Sequence, residues 1–352
     1  MDGWPVELST LCQLQGISGR EEPVRSAILQ ECQRVLGEDN AFLDRVGNVI
    51  AHKPGTDPTA PRVMLCAHMD EVGLMVISHT DDGLLRVRAI GGVDARVLVS
   101  KRVKVGYDQP AQADRPAVAA LPGVIGAMAI HQQSAEDRKK ALPIDQLYVD
   151  IGAKDKDEAL SKAPAGTPIT FDTVFTPFGD GLLLARALDD RVGCYNMLRL
   201  LGCDVRGDTD FVFTCQEEVG CRGAAGAAFR LMPDVGLALE GTTANDAGDT
   251  PRAQQVCRVG AGVAVSFMDN ASIANPELFA EMMALAAARG IPHQVKMSVS
   301  GGNEGGALQR TGAGARTCVL SVPCRYIHSP STVCSEADVE AQYQLAKAFL
   351  EK

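Results

Sequence analysis

The sequence predicts an α/β fold, a mixed-sheet α/β/α sandwich interrupted by a small β-barrel-like insertion, and three observations carry that expectation. Apolar strand-like runs alternate with helical repeats in the first and last parts of the chain. The stretch between shows short alternating β-like runs instead. Finally, 46% hydrophobic and 22% charged residues over 352 positions are enough for a large core and for two domains.

The elements follow in order. Ser18-Gly19-Arg20-Glu21 has the Ser-x-x-Glu form of a capping box, and Val24, Ile28, Cys32 and Val35 recur behind it at helical spacing, predicting an amphipathic helix over 20–36. Residues 62–67 read as a buried strand, and the runs at 210–214, 235–239, 263–267 and 317–322 have the same character. Helical patterns fall at 190–202, 221–231 and 276–289, and Ser335 with Asp338 offers a cap for a last helix carrying Val339, Tyr343, Ala346 and Leu350. From 76 to 176 the alternating runs 85–90 and 102–105, a Pro/Ala/Gln loop at 107–123 and one charged helical piece near 134–141 describe a β-rich domain. The expected organisation is a catalytic domain of 1–75 and 177–352 with an insert at 76–176.

A net charge of -10 and a pI near 5.2 come from dispersed acidic residues, which disfavours nucleic acid and anionic membrane as partners and favours a small substrate or a peptide. No window approaches the roughly 18 apolar residues of a membrane span. The opening Met1-Asp2-Gly3-Trp4-Pro5 lacks a basic start, so a soluble, cytoplasmic protein is expected. The eleven cysteines are odd in number and without Cys-x-x-Cys spacing, and they read as reduced core thiols.

In an open α/β sheet ligands collect at the carboxyl edge of the strands. There the predicted strands deliver Ala67-His68-Met69-Asp70-Glu71, Gln216-Glu217-Glu218, Glu240-Gly241-Thr242 and Tyr326-Ile327-His328-Ser329, while Asp189-Asp190 opens a helix. Each residue alone has a plain explanation as a cap or a hydrogen-bonded structural group. Together they are a histidine and carboxylate set of the kind that borderline divalent metals prefer. Carboxylates following strands this apolar are costly unless paired or metal-bound.

The runs Ala67-His68-Met69-Asp70-Glu71-Val72-Gly73, Ala187-Leu188-Asp189-Asp190-Arg191, Gln216-Glu217-Glu218-Val219-Gly220 and Arg325-Tyr326-Ile327-His328-Ser329-Pro330 resemble those of the tetrahedral (TET) aminopeptidases. These dinuclear zinc peptidases also go by glutamyl aminopeptidase or endoglucanase-like names. The similarity keeps the motif order from residue 6 to the C-terminus and includes Gly91-Gly92-Val93-Asp94 and Asp150-Ile151-Gly152-Ala153-Lys154.

The resemblance implies a zinc-exopeptidase core and two divalent ions per chain, zinc first, with cobalt or manganese as alternatives. His68, Asp189 and Glu240 would hold one ion, and Asp189, Glu218 and His328 the other. Glu217 would be the general base acting on metal-bridging water. Asp70, two residues beyond His68, would stand behind it, its carboxylate accepting the ring N–H. The substrates would be short peptides with a free amino terminus, cut in a homo-oligomer built from dimers through the insert and commonly reaching twelve subunits.

Some positions depart from the pattern. Glu240 stands where many relatives carry aspartate, with Asp246 or Asp249 as fallback; Gly302-Asn303-Glu304-Gly305 replaces Gly-Thr-Asp-Ala; and Arg252 follows Asp249-Thr250-Pro251 in place of glycine. Three other readings compete. A glycoside hydrolase needs two carboxylates about 5–9.5 Å apart and leaves the histidines without a role. A metal-dependent carboxypeptidase or deacylase would use similar ligands, and a non-enzymatic assembly protein would keep the metal only for stability.

Overall fold

The structure, a computed structural model, describes residues 6–108, 119–297 and 301–352; the opening Met1–Pro5 and most of the expected 107–123 loop lie outside them. A sheet of 11 strands forms the spine. Its centre is four parallel strands in the spatial order Thr209–Thr214, Val63–His68, Val235–Thr243 and Arg316–Arg325. The first two are buried at every position, as strands covered on both faces must be.

Alternation along these strands sorts the core. Val63, Leu65 and Ala67 face the helices Glu22–Leu36, Leu188–Leu200, Pro276–Arg289 and Glu336–Leu350. Met64 and Cys66 face the opposite side with Val212, Ala238 and Val319, against Ala227, Ala228 and Leu308 of the helices Arg222–Leu231 and Glu304–Arg310. Because side chains repeat every second residue, His68 continues the second series and Glu240 follows Ala238 onto the same face. Register then places His68 beside Thr214 and Glu240 beside Ser321. Period and pairing together bring two strand ends to one crevice.

Six antiparallel strands between Gly73 and Phe171 close into a barrel with its own core, including Leu74, Val87, Val103, Ile125, Val149 and Ile169. The chain passes from His68 into the barrel through only Met69–Val72, all buried.

The charged piece at 134–141 is not an α-helix. Residues Asp137–Lys139 form a single tight turn, because the run is exposed and offers no apolar face to pack. Among the described residues the only α-helix within the barrel region is Lys156–Lys162, capped by Asp155 on the Glu158 amide. The capping box also fails. The helix starts at Glu22; Ser18 Oγ donates to Asp70, and Glu21 accepts from the amides of Gly19 and Gln216. In the last helix, Glu336–Leu350, Asp338 caps nothing of its own and accepts the Gly260 and Gly262 amides.

Arg191 ties the N-terminal segment to the sheet. Fully buried, it donates to the carbonyls of Leu11, Leu14 and Met69, while Arg186 pairs with Glu71 beside it. Removing a buried cation leaves its acceptors stranded, at a cost of about 3–5 kcal/mol. Arg191→Met should therefore lower the urea midpoint by a corresponding amount, whereas exposed Arg88→Met should leave it within about 0.5 kcal/mol of the parent.

Candidate metal centre

The carboxyl edge of the central strands gathers the residues singled out above. His68 Nε2 lies 3.3 Å from Asp189 Oδ1, 3.7 Å from Glu240 Oε2 and 3.9 Å from Glu217 Oε2. His328 Nε2 lies 3.5 Å from Asp189 Oδ2 and 3.4 Å from Glu218 Oε2. The two oxygens of Asp189 thus face different imidazoles. Of the fallback residues, Asp246 is tied to Arg325 at 2.7 and 2.9 Å, and Asp249 is exposed.

Local backbone explains how adjacent residues reach one point. The strand carrying Thr214 ends there, and Gln216 turns through φ 56°, so Glu217 and Glu218 leave a loop rather than opposite faces of a strand. Asp70 fixes that loop: its carboxylate accepts the amides of Glu217 and Glu218 at 2.9 and 3.2 Å, and the Ser18 hydroxyl at 2.6 Å. This corrects the expected role of Asp70. Its carboxylate stands 3.7 Å from His68 Nδ1, and the ring nitrogen is met at 2.9 Å by the Asp70 backbone carbonyl. A carbonyl can only accept, so Nδ1 carries a proton and Nε2 is the nitrogen turned toward the carboxylates.

Asp189 is extended, at φ -85° and ψ 110°, and the helix proper begins beyond Asp190. It leans on Gly241, where a Cβ would come within 2.9 Å of Oδ1. His328 and Tyr326 both take φ 59°, turning the chain after Arg325 back toward the site.

Three contributors were not assigned from the sequence. Asp190, fully buried, accepts the amides of His68 and Gly193, so its oxygens are engaged and Asp189 is left as the open carboxylate. The Cys221 thiol donates to Glu217 Oε1 at 3.2 Å. Glu304, fully buried, has an amide that donates to Glu240 Oε1 and two carboxylate oxygens without a partner. Asp190 was visible as half of an acidic pair, and Glu304 as a departure from a motif; only the fold gives them neighbours.

Electrostatics mark the site as short of positive charge. Burial raises Glu240 and Asp190 well above the carboxylate range and lifts Glu217, while Glu218 is pushed up to about 8. Burial would also raise Asp189, but the two facing imidazoles hold it below its usual value. Burial opposes protonation of both histidines. Neighbouring carboxylates outweigh it, raising His68 well above normal and His328 to about 9. Among the described residues no lysine or arginine pairs with Asp189, Asp190, Glu217, Glu218 or Glu240.

Donor atoms of His68, Asp189 and Glu218, and of His68, Asp190 and Glu240, each fall within 4.8 Å of one another. Asp189 Oδ1 is buried and makes no hydrogen bond. Imidazole nitrogens, carboxylate oxygens and an orphaned buried oxygen at this spacing fit divalent cations. The centre opens into a cavity of about 1080 Å³ whose walls include Gly92 and Lys101 from the barrel side and Thr242, Lys296 and Asn303 from the sheet side.

Residues 47–345 match the profile of the family described as M42 glutamyl aminopeptidase. A lysyl aminopeptidase of Pyrococcus furiosus is 33% identical, over 98% of this chain and 96% of that one. An aminopeptidase structure from the archaeon Desulfurococcus kamchatkensis superposes with a TM-score of 0.90 at 32% identity, covering 98% of this chain and 93% of that one. The TET1 peptidase of Pyrococcus horikoshii, described as assembling into a tetrahedron or a large octahedral shell, gives 0.83 at 30% identity and covers 97% and 98% of the two chains.

In the cation-free protein Glu218 and His328 both hold protons at pH 7, and cations compete with those protons. Divalent-cation affinity should rise from pH 7 to 9, and binding at pH 7 should release protons, measurable by calorimetry in buffers of different ionisation enthalpy. The stability sign follows from the same shifts. Both folded-state pKa values exceed the unfolded ones, so their stabilisation is complete below the unfolded values and is lost as pH rises through about 8 and about 9. The melting temperature of the cation-free protein should fall across that window.

Proposed function

The chain belongs to the M42 glutamyl aminopeptidase family and is a metal-dependent aminopeptidase, and on that premise we propose how its site divides the work. His68, Asp189 and Glu240 hold one cation and Asp189, Glu218 and His328 a second, both zinc. The observation that carries this reading is Asp189, whose two oxygens address two different histidines. When bound, the pair of cations supplies Lewis acidity toward the scissile carbonyl and lowers the pKa of water.

The remaining steps belong to the chain's own residues. Glu217 is the general base: it takes a proton from the attacking water and delivers it to the departing amine. In the cation-free protein burial raises its pKa. Cys221 steers Glu217 by holding Oε1, which leaves Oε2 toward the centre. Asp70 sets the positions of Glu217 and Glu218 through their amides. Substrates are short peptides with a free amino terminus, the amine being received by the carboxylates.

The glycosidase reading is disfavoured because it gives no work to two imidazoles set against carboxylates. For assembly, the TET1 peptidase of Pyrococcus horikoshii, described as a dodecamer and as assembling into a tetrahedron or an octahedral shell, supports a homo-oligomer, and we propose the barrel as its dimer contact. Eleven free cysteines suit a reducing compartment, and we place the protein in the cytoplasm. Among the described residues no helix is long and apolar enough to cross a membrane.

Glu217→Gln tests the division of labour. It should lower kcat on an aminoacyl anilide by about 10²–10⁴-fold while zinc content by elemental analysis stays at two per chain. Loss of zinc in Glu217→Gln, or cleavage of N-acetylated peptides by the parent protein, would refute the assignment. Chelation should abolish turnover and added zinc restore it; chelator-resistant hydrolysis of cellulose would favour the glycosidase.

A further inference from the structure

We infer that Lys296 recognises a carboxylate of the substrate inside the cavity, an inference that rests on the aminopeptidase reading of the adjoining centre. Lys296 ends the strand His293–Lys296, is only 6% exposed and lines the cavity together with Thr242, Asn303 and Ser321. Lysines are almost never buried to this degree unless paired. Among the described residues no carboxylate forms an ion pair with it. With no carboxylate beside it, the ammonium opens onto the cavity and is free to pair with whatever fills the adjoining space.

The acids of the metal centre do not supply it. The strands Arg316–Arg325 and Val263–Ser266 lie between the Glu240 strand and the Lys296 strand, so three strand spacings, about 14 Å, separate the two backbones. A peptide whose amino terminus is received at the carboxylates has its first side chain, or in a dipeptide its terminal carboxylate, available to span that gap. An acidic group there would be paired with Lys296, whereas a basic one would meet a like charge. The names of relatives do not decide the matter, since glutamyl and lysyl activities both occur among them. The lysine of this chain favours the acidic choice.

The test uses the full-length, zinc-loaded protein and Lys296→Met, with Lys296→Arg as the charge-retaining control and thermal melting to verify folding. kcat/KM is compared for glutamyl against leucyl anilide, and for Leu-Gly against Leu-Gly amide. The parent should favour the acidic member of one pair by at least ten-fold, Lys296→Met should bring that ratio near one, and Lys296→Arg should keep most of it. Preference in the first pair identifies the side chain as the carboxylate recognised, and in the second pair the peptide terminus. Ratios unchanged by Lys296→Met in both pairs would overturn the inference. Calorimetric binding of free L-glutamate against L-leucine separates the two readings. Glutamate selectivity lost in Lys296→Met, in a protein that cleaves no anilide, would leave the lysine assignment standing and strike the aminopeptidase reading instead.

Discussion

One carboxylate faces two imidazoles, and much of the molecule can be understood as what is needed to put it there. Asp189 sits between His68, from the end of a buried parallel strand, and His328, from a loop with left-handed backbone more than two hundred residues later in the chain. Around this contact crowd Glu217, Glu218 and Glu240, each destabilised as an anion by burial. Such an arrangement is poor design for a protein without cations. It is sound design for one that binds them, because divalent cations convert mutual repulsion into shared coordination.

The supporting layer is as specific as the centre. Asp70, Asp190 and Glu21 are buried acids whose oxygens accept backbone amides of the strand end and loop that carry His68, Glu217 and Glu218. They hold chain segments, whereas the residues in front of them hold charge. The orphaned oxygens of Glu304, directly behind Glu240, belong to neither group, and the structure gives no physical account of them.

Much of the site was legible in the sequence because its geometry is periodic. Apolar runs marked the strands, and the carboxyl-edge rule pointed to the residues just past them. What failed were local signals with two possible partners. Ser18 and Glu21 have capping-box spacing, yet both turn to loops brought near only by the fold. Asp338 has the same history. Which atom of Asp70 would meet His68 was likewise undecidable from spacing, since its carbonyl and its carboxylate lie at almost the same place along the chain. The helical piece near 134–141 was misread because charge spacing alone, without an apolar stripe, does not specify a helix.

The short passage from His68 into the barrel carries a consequence of its own. Met69 to Val72 join the two in four buried residues, so the strand end that presents His68 and the first barrel strand lie within four residues' reach of each other. Gly92 and Lys101 from the barrel region and Thr242 and Asn303 from the sheet region line one cavity, so two separately packed cores shape a single wall. A substitution in the barrel can therefore reshape the space beside His68 without touching the sheet.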